Sequence, residues 1–336
     1  MSDTNIDFSE PKRFDFLDFV RNNSHLVTLL SLMVIATIIT RGLFIRPDNL
    51  FSVIIRASIL GTLAIGQTLV ILTAGIDLCI AANLGLTIAT MSLFLRLGQG
   101  PLAVMILGLL APTLIGFING QIVARTRVPP FIVTLGMSLI VWSINLAAVG
   151  AHATVFYDIQ VFIDKYTGFL SFLGANSFPA VVWIIATVFW VLMLRYSRLG
   201  HNIYATGGKE KAAFFSGVKT GRIKVLVYTL SGLFAGLGAI LYAYKLGGTN
   251  PVAGKEFVLE TIAATVIGGT SLFGGEGKML GTLIGALVMT ILINFMNIMN
   301  VNPFLQQAII GSIFIVFVYM LNRIRTIRLK SLYERE

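Results

Sequence analysis

Long apolar runs separated by short polar stretches dominate the pattern of this chain. Each run is about 20 residues long, which is enough for a helix to cross a hydrocarbon core of about 30 Å. Solid apolar blocks argue against a membrane β-barrel, whose strands alternate apolar and polar residues. The pattern predicts about ten membrane-spanning helices, at 26–45, 51–73, 78–97, 102–124, 130–150, 178–195, 223–245, 257–273, 279–299 and 303–322.

The placement of Lys and Arg orients these helices. An even number of spans leaves both termini on one side, and the positive-inside rule puts that side in the cytoplasm. The sequence therefore predicts an all-α polytopic membrane protein with both termini cytoplasmic. We divide it into an N-terminal segment 1–25, in which RFDFLDFVRNN favours a short interfacial helix, a transmembrane domain 26–322 and a basic cytoplasmic tail 323–336.

The composition supports a membrane protein and limits the kinds of molecule that it binds. Only 12% of the 336 residues are charged, against about 25% in soluble domains. The net charge of +10 comes from basic residues that flank the spans, so it indicates lipid headgroups and not nucleic acid. The single Cys79 excludes an internal disulfide, and the three histidines lack the spacing of metal ligands.

One polar island, 195–224, interrupts the apolar pattern with seven Lys/Arg against the single acid Glu210. Its central part, 196–222, is predicted to be a cytoplasmic loop. Gly207-Gly208 is expected to break the backbone there, KEKAAFFS to form a helix of about eight residues, and Gly217 to cap that helix. Because so short a helix is unstable alone in water, we expect it to dock on another surface.

The chain lacks the residues of an energy source or a catalyst. GGEGKM resembles a phosphate-binding loop, but Leu272 and Met279 stand where that loop needs a glycine and a Ser or Thr. Ion-driven transporters usually keep titratable residues in mid-span, and the predicted spans hold almost none. The chain is therefore predicted to be no enzyme and to bind no cofactor, so that any ATP and Mg²⁺ belong to separate subunits.

Neutral polar residues inside the spans are candidates for a translocation pathway. Amides and hydroxyls suit the passage of a neutral polar solute, and they also serve as hydrogen bonds between membrane helices; both interpretations stay open. The pathway candidates are Gln67, Thr68, Asn83, Thr134 and Asn145.

Two glycine-rich turns with an acid, 72–86 and 268–285, stand out among the predicted helices. Broken helices of this kind occur in transporters, but close helix packing explains most such glycines, since GxxxG spacings recur at Gly116/Gly120, Gly232/Gly236 and Gly281/Gly285. Asp77 is expected at a turn, where it caps the helix that follows.

Four stretches carry a family resemblance: ILTAGIDL (71–78), INGQIVARTRVPPFIVTLG (118–136), RLGHNIYATGGKEKAAFFSGV (198–218) and IAATVIGGTSLFGGEGKMLGTLIGAL (262–287). In order and spacing they resemble the inner-membrane permeases of bacterial ABC sugar importers of the ribose, xylose and autoinducer-2 type. The resemblance implies a core of two permeases, identical or paralogous, two cytoplasmic ABC ATPase subunits and a periplasmic solute-binding protein.

The resemblance also assigns roles to residues. It implies that the island is the coupling loop that receives the ATPase, through Asn202, Gly208, Lys209, Lys211, Phe214, Phe215, Ser216 and Gly217. We also predict that Lys165, Lys245 and Lys255 form salt bridges with the binding protein on the outer side; the alternative is that they are ordinary surface lysines.

One departure from the family leaves the cargo open. The family usually has Ser and a small residue after GIDL, whereas Cys79 and Ile80 follow here. A monosaccharide is the first interpretation. The alternatives are an ABC permease for nucleosides or branched-chain amino acids, and a self-sufficient secondary transporter.

Overall fold

The computed structural model of the chain describes residues 24–149, 154–167, 177–250 and 254–333. Within these ranges the regular secondary structure is helical except for one short antiparallel ladder. The elements are α1 (Ser24–Ile39), α2 (Pro47–Leu72), α3 (Ile80–Arg96), α4 (Pro101–Arg125), α5 (Pro130–Val149), β1 (Thr154–Val155), α6 (Tyr157–Thr167), α7 (Phe178–Tyr196), α8 (Arg198–Gly208), α9 (Glu210–Phe215), α10 (Thr220–Leu246), β2 (Gly248–Thr249), α11 (Phe257–Ile267), α12 (Met279–Ile298) and α13 (Pro303–Tyr333).

Six of the described helices are long and apolar enough to cross a membrane: α2, α4, α5, α7, α10 and α12. Shorter apolar helices in α1, α3, α11 and the first part of α13 coincide with the other predicted spans. Proline stands at the first or second position of α2, α4 and α7, where its missing N–H costs no helical hydrogen bond. An all-helical polytopic membrane protein is thus confirmed, whereas the count of ten and the cytoplasmic termini stay predictions.

Three predicted boundaries differ from the structure or fall outside the described residues. α11 ends at Ile267 and not at residue 273, because Gly269, Gly274 and Gly275 adopt positive φ angles that interrupt a helix. α13 runs without a break from Pro303 to Tyr333, so the boundary drawn at 322 between span and tail falls inside one helix. The interfacial helix predicted within 1–25 lies outside the described residues.

Helices α2 and α10 form the centre of the bundle. The most apolar stretch of α2 is 89% buried, and α10 lies directly against α4 because small residues face each other. A Cβ atom at Gly116 would overlap the carbonyl oxygen of Tyr228, and one at Gly232 would overlap that of Pro112. The packing role predicted for these GxxxG glycines is confirmed, since it lets two membrane helices touch through their backbones.

The pair Gly281/Gly285 plays the same part between α12 and α11. A Cβ at Gly281 would overlap the carbonyl oxygen of Gly268, and one at Gly285 would overlap that of Ala264. α11 and α12 therefore pack backbone to backbone.

The direction of the chain shows which segments lie at each end of the helix bundle. At the first, which we call the coupling end, α7 passes into α8 and α9 and α10 begins. At the opposite end, α6 lies over the end of α10: Gln160 Nε2 donates to the Tyr244 carbonyl (2.6 Å), and the Tyr244 hydroxyl donates to Asp164 Oδ1 (2.6 Å). The β1–β2 ladder, which pairs Val155 with Gly248, joins the same two segments. Residues 154–167, which lie between the predicted spans 130–150 and 178–195, thus have ordered structure.

Candidate functional site

The polar island folds as two short helices, α8 and α9. The Ser197 hydroxyl caps α8 by accepting a hydrogen bond from the Gly200 N–H (3.0 Å). Beyond α9, Gly217 has φ +88°, its N–H donates to Phe214 O, and the Val218 N–H donates to Ala213 O, each at 3.0 Å. These two bonds make a Schellman motif. The cap predicted at Gly217 is confirmed.

The break predicted at Gly207-Gly208 is wrong. Both glycines belong to α8, and the chain turns at Lys209, which has φ −146° and ψ 89°. Gly207 serves close packing: a Cβ there would overlap the carbonyl oxygen of Leu72 and lie 2.7 Å from the backbone nitrogen of Gly275. Gly208 has no atom within 4 Å of such a Cβ.

Helices α8 and α9, which we call the coupling helices after their predicted role, carry an exposed pair of aromatic side chains. The side chains of Phe214 and Phe215 are 63% and 85% exposed, and their ring centroids lie 5.9 Å apart. Exposed rings on a polar, cationic segment are the composition of a protein contact surface. Of the other predicted coupling residues, Asn202 is half-buried, while the exposed ones are Gly208, Lys209, Lys211, Ser216 and Gly217.

Two polar contacts hold these helices to the membrane domain. Lys224 Nζ on α10 lies 2.6 Å from Oε1 of Glu210, and Glu210 is the first residue of α9. The Tyr204 hydroxyl on α8 donates to the Gly277 carbonyl at 2.9 Å. Burial raises the pKa of the Tyr204 phenol above its ordinary value, so the group is a hydrogen-bond donor at neutral pH.

The two glycine-rich turns meet each other at the end of α8. The Gly275 N–H donates to the Leu72 carbonyl at 2.9 Å, and a Cβ at Gly274 would lie 2.6 Å from the backbone nitrogen of Ala74. Together with Gly207 these residues form one backbone junction, which joins the coupling helices to the segments 73–79 and 268–278. Beside it lies a cavity of about 230 Å³, lined among others by Thr73, Gly75, Thr206, Glu210, Lys224 and Tyr228.

Segment 73–79 crosses the bundle interior without helical structure. Asp77 is fully buried at its far end; its Oδ1 accepts from the Cys79 N–H (2.8 Å), and its Oδ2 accepts from the Ser231 hydroxyl (2.6 Å). Asp77 therefore satisfies a backbone donor at the start of α3, as predicted, although the N-cap position itself is Cys79. Non-helical backbone at membrane depth occurs where protein encloses it, and Ser231 supplies part of that enclosure.

We expect Ser231→Ala to destabilise the permease. The substitution leaves Asp77 Oδ2 buried without its hydroxyl donor, which costs about 1–3 kcal/mol. The thermal unfolding midpoint of the detergent-solubilised protein should fall. Ser143→Ala is the matched control, because the Ser143 hydroxyl is exposed and bonds only its own helix at Leu139 O. Equal midpoints for both variants would contradict the role of Ser231.

The predicted pathway residues are all fully buried within this one chain. Thr68 Oγ1 bonds the hydroxyls of Thr265 (3.2 Å) and Thr282 (2.8 Å), and Asn145 Nδ2 donates to the Ala82 carbonyl. These contacts match the second interpretation of the sequence, hydrogen bonds between helices.

Thr134 works in the same way at the start of α5. Its hydroxyl accepts from the Leu78 N–H and lies 3.1 Å from the Ile76 carbonyl, so it holds segment 73–79. Both amide atoms of Gln67 and the Asn83 Nδ2 are buried without a partner among the described residues. The translocation role of all five residues stays a prediction.

The predicted docking lysines lie at the end opposite the coupling helices. Lys165 and Lys245 occupy the last turns of α6 and α10. Lys255 precedes α11, with its Nζ 5.0 Å from the centroid of the Trp142 ring. They share one end of the bundle, and their contact with a binding protein stays a prediction.

Sequence reasoning missed an ion pair between two apolar helices. Arg56 Nη2 on α2 lies 3.3 Å from Glu260 Oε1 on α11, and Glu260 is 3% exposed. The signal was available, because Glu260 is an acid within the run FVLETIAATVI and an acid in an apolar run needs a partner.

Six described helices that are long and apolar enough to cross a membrane indicate a multi-pass membrane protein. The model of the family described as "branched-chain amino acid transport system / permease component" matches residues 49–318. The chain belongs to this family, which confirms the resemblance drawn from the four stretches. As a permease component it is not itself an enzyme.

Individual relatives match over nearly their whole length. The chain is 34% identical to the ribose import permease protein of Escherichia coli K12, over 93% of this chain and 97% of that protein. It is 33% identical to the D-allose transport system permease protein of the same strain (92% and 94%), and 34% identical to the fructose import permease protein of Rhizobium meliloti (87% and 83%). No solved structure matches the chain.

Proposed function

We propose that this chain is the membrane subunit of an ABC importer that carries a monosaccharide into a bacterial cell across its inner membrane. The observation that carries the proposal is the backbone junction at Gly207, because it connects an exposed aromatic pair to buried membrane segments. Similarity to import permeases named for ribose, allose and fructose supports the cargo. A separate ATPase pair, with ATP and Mg²⁺, supplies the energy.

The proposed motion starts at Phe214 and Phe215, which seat in a groove of the ATPase. When ATP closes the ATPase dimer, α8 and α9 move, and the Lys224–Glu210 pair links the motion of α9 to α10. Because Gly207 touches Leu72 and Gly275 through their backbones, any shift of α8 displaces segments 73–79 and 268–278. The first segment carries Asp77 and the start of α3, so the displacement reaches the bundle interior.

On the other side, a periplasmic binding protein delivers the cargo at the end that carries Lys165, Lys245 and Lys255. A second permease, identical or paralogous, completes the passage, as in oligomeric transport systems in general. In this proposal the chain has ten spans and both termini in the cytoplasm, so these lysines lie outside and the coupling helices inside.

A branched-chain amino acid is the second candidate cargo, because the matching family model carries that description. The cognate binding protein selects the cargo, so the ligand that it binds distinguishes the two candidate cargoes. Ligand binding raises its unfolding midpoint in proportion to RT ln(1 + [L]/Kd). We expect stabilisation by one of ribose, allose, fructose or galactose and none by leucine or adenosine. Stabilisation by leucine or adenosine alone would overturn the cargo assignment.

A further inference from the structure

The Arg56–Glu260 pair joins two apolar helices at a place that coupling does not explain. Glu260 lies in the first turn of α11, and Arg56 lies within α2, away from the junction at Leu72. Charged side chains in membrane helices are costly and mark functional sites. The pair therefore calls for a reason beyond packing.

Stability alone does not supply that reason. The N-terminus of α11 favours a carboxylate, but a buried ion pair is rarely better than apolar residues of the same volume. The bonding is also incomplete: Glu260 Oε2 and Arg56 Nε are buried and have no hydrogen-bond partner among the described residues. The same ion pair thus leaves one acceptor and one donor without a partner.

The surroundings of the pair are polar and reach the surface of the chain. The Arg56 side chain is 38% exposed, and exposure to acyl chains would be expensive for a guanidinium, so the exposed part faces water or a second copy. The Tyr242 phenol lies within electrostatic range of Arg56, Glu256 and Glu260, and its ring packs edge-on against Phe257.

We propose that Arg56 and Glu260 form a hydroxyl-binding subsite on the path of the cargo. One cargo hydroxyl donates to Glu260 Oε2, and the adjacent hydroxyl accepts from the Arg56 Nε–H, so the vicinal diol of a monosaccharide completes both open bonds. The pair neutralises itself, which suits a neutral polyol; a zwitterion would compete with the ion pair. This inference rests on the proposed function.

A movement of α11 gives the cargo access to the subsite. The open atoms are covered in this conformation, and α11 leads directly into segment 268–278, whose Gly275 touches Gly207 and bonds the Leu72 carbonyl. Displacement of that segment by the coupling helices moves α11 relative to α2. The subsite is then uncovered in step with ATP use.

The test replaces the pair with apolar residues of similar volume, Arg56→Met with Glu260→Leu, in the complete importer reconstituted in liposomes. Such replacements of buried pairs usually preserve folding. We expect an unchanged unfolding midpoint and continued stimulation of ATP hydrolysis by the binding protein. Uptake per ATP should fall about tenfold or more, because bonds to charged groups are lost. The probe is whichever of radiolabelled ribose, allose, fructose and galactose the wild type accumulates.

Controls separate the outcomes. Glu256→Gln removes the exposed neighbouring carboxylate and should leave uptake per ATP unchanged. Unchanged uptake per ATP in Arg56→Met with Glu260→Leu overturns the subsite and leaves the proposed function standing. If that variant does not fold, Glu260→Gln takes its place; it should raise the cargo concentration for half-maximal uptake about fivefold, and wild-type behaviour overturns the subsite. A wild-type importer that accumulates leucine or adenosine but no sugar overturns both proposals.

Discussion

Gly207→Ala should strongly reduce coupled transport, while Gly136→Ala leaves it intact. The added methyl group at position 207 would overlap the Leu72 carbonyl and crowd the Gly275 nitrogen, and neither backbone atom can rotate away. Forced overpacking of this kind costs about 1–3 kcal/mol, which is enough to displace α8 from segments 73–79 and 268–278. We expect sugar uptake to fall at least about tenfold while the ATPase subunits stay bound.

Gly136→Ala is the control, because it adds the same methyl group to an exposed helical glycine of α5, where nothing lies within 4 Å. Both variants gain the same helix propensity from replacing glycine. Uptake and ATPase retention would be measured on each purified complex. Wild-type uptake in Gly207→Ala, or equal loss in both variants, would rule out the junction as the route of coupling.

Phe214→Asp with Phe215→Asp should release the ATPase subunits. Both rings are exposed in this chain, so their replacement leaves its folding largely intact, whereas charge in the centre of an apolar contact costs several kcal/mol, about 2–4 per lost anchor residue. Co-purification from detergent is the measurement, and we expect the ATPase to be lost with the permease unfolding midpoint preserved.

Phe304→Asp provides the matched control for the aromatic pair. Phe304 is 83% exposed and begins α13, at the end opposite the coupling helices, so its variant should retain the ATPase. ATPase bound normally to the Phe214→Asp, Phe215→Asp permease would remove these rings from the interface.

Local sequence signals were enough where the structure depends on local chemistry. Gly217 ends a short helix because a residue with positive φ is needed there. Apolar runs located the helices because burial in lipid demands about 20 apolar residues in a row. Pairs of glycines at GxxxG spacing predicted backbone contact without identifying the partner helix.

Contacts between distant parts of the chain were beyond the same reasoning. Gly207 looked like a break because glycine weakens helices, but its missing side chain admits Leu72 and Gly275, and nothing local to the island reveals them. Asp77 was placed at a turn correctly, while its bond to Ser231 on α10 depends on how two helices pack. Arg56 and Glu260 lie 204 residues apart, so their pairing emerges only in the fold.

In the proposed function, this chain transmits work from an ATPase and generates none itself. Uptake of radiolabelled sugar into liposomes tests it, with the permease present alone, with its ATPase, and with both the ATPase and the binding protein. We expect accumulation only in the complete mixture and only with ATP. Accumulation by the permease alone would contradict it.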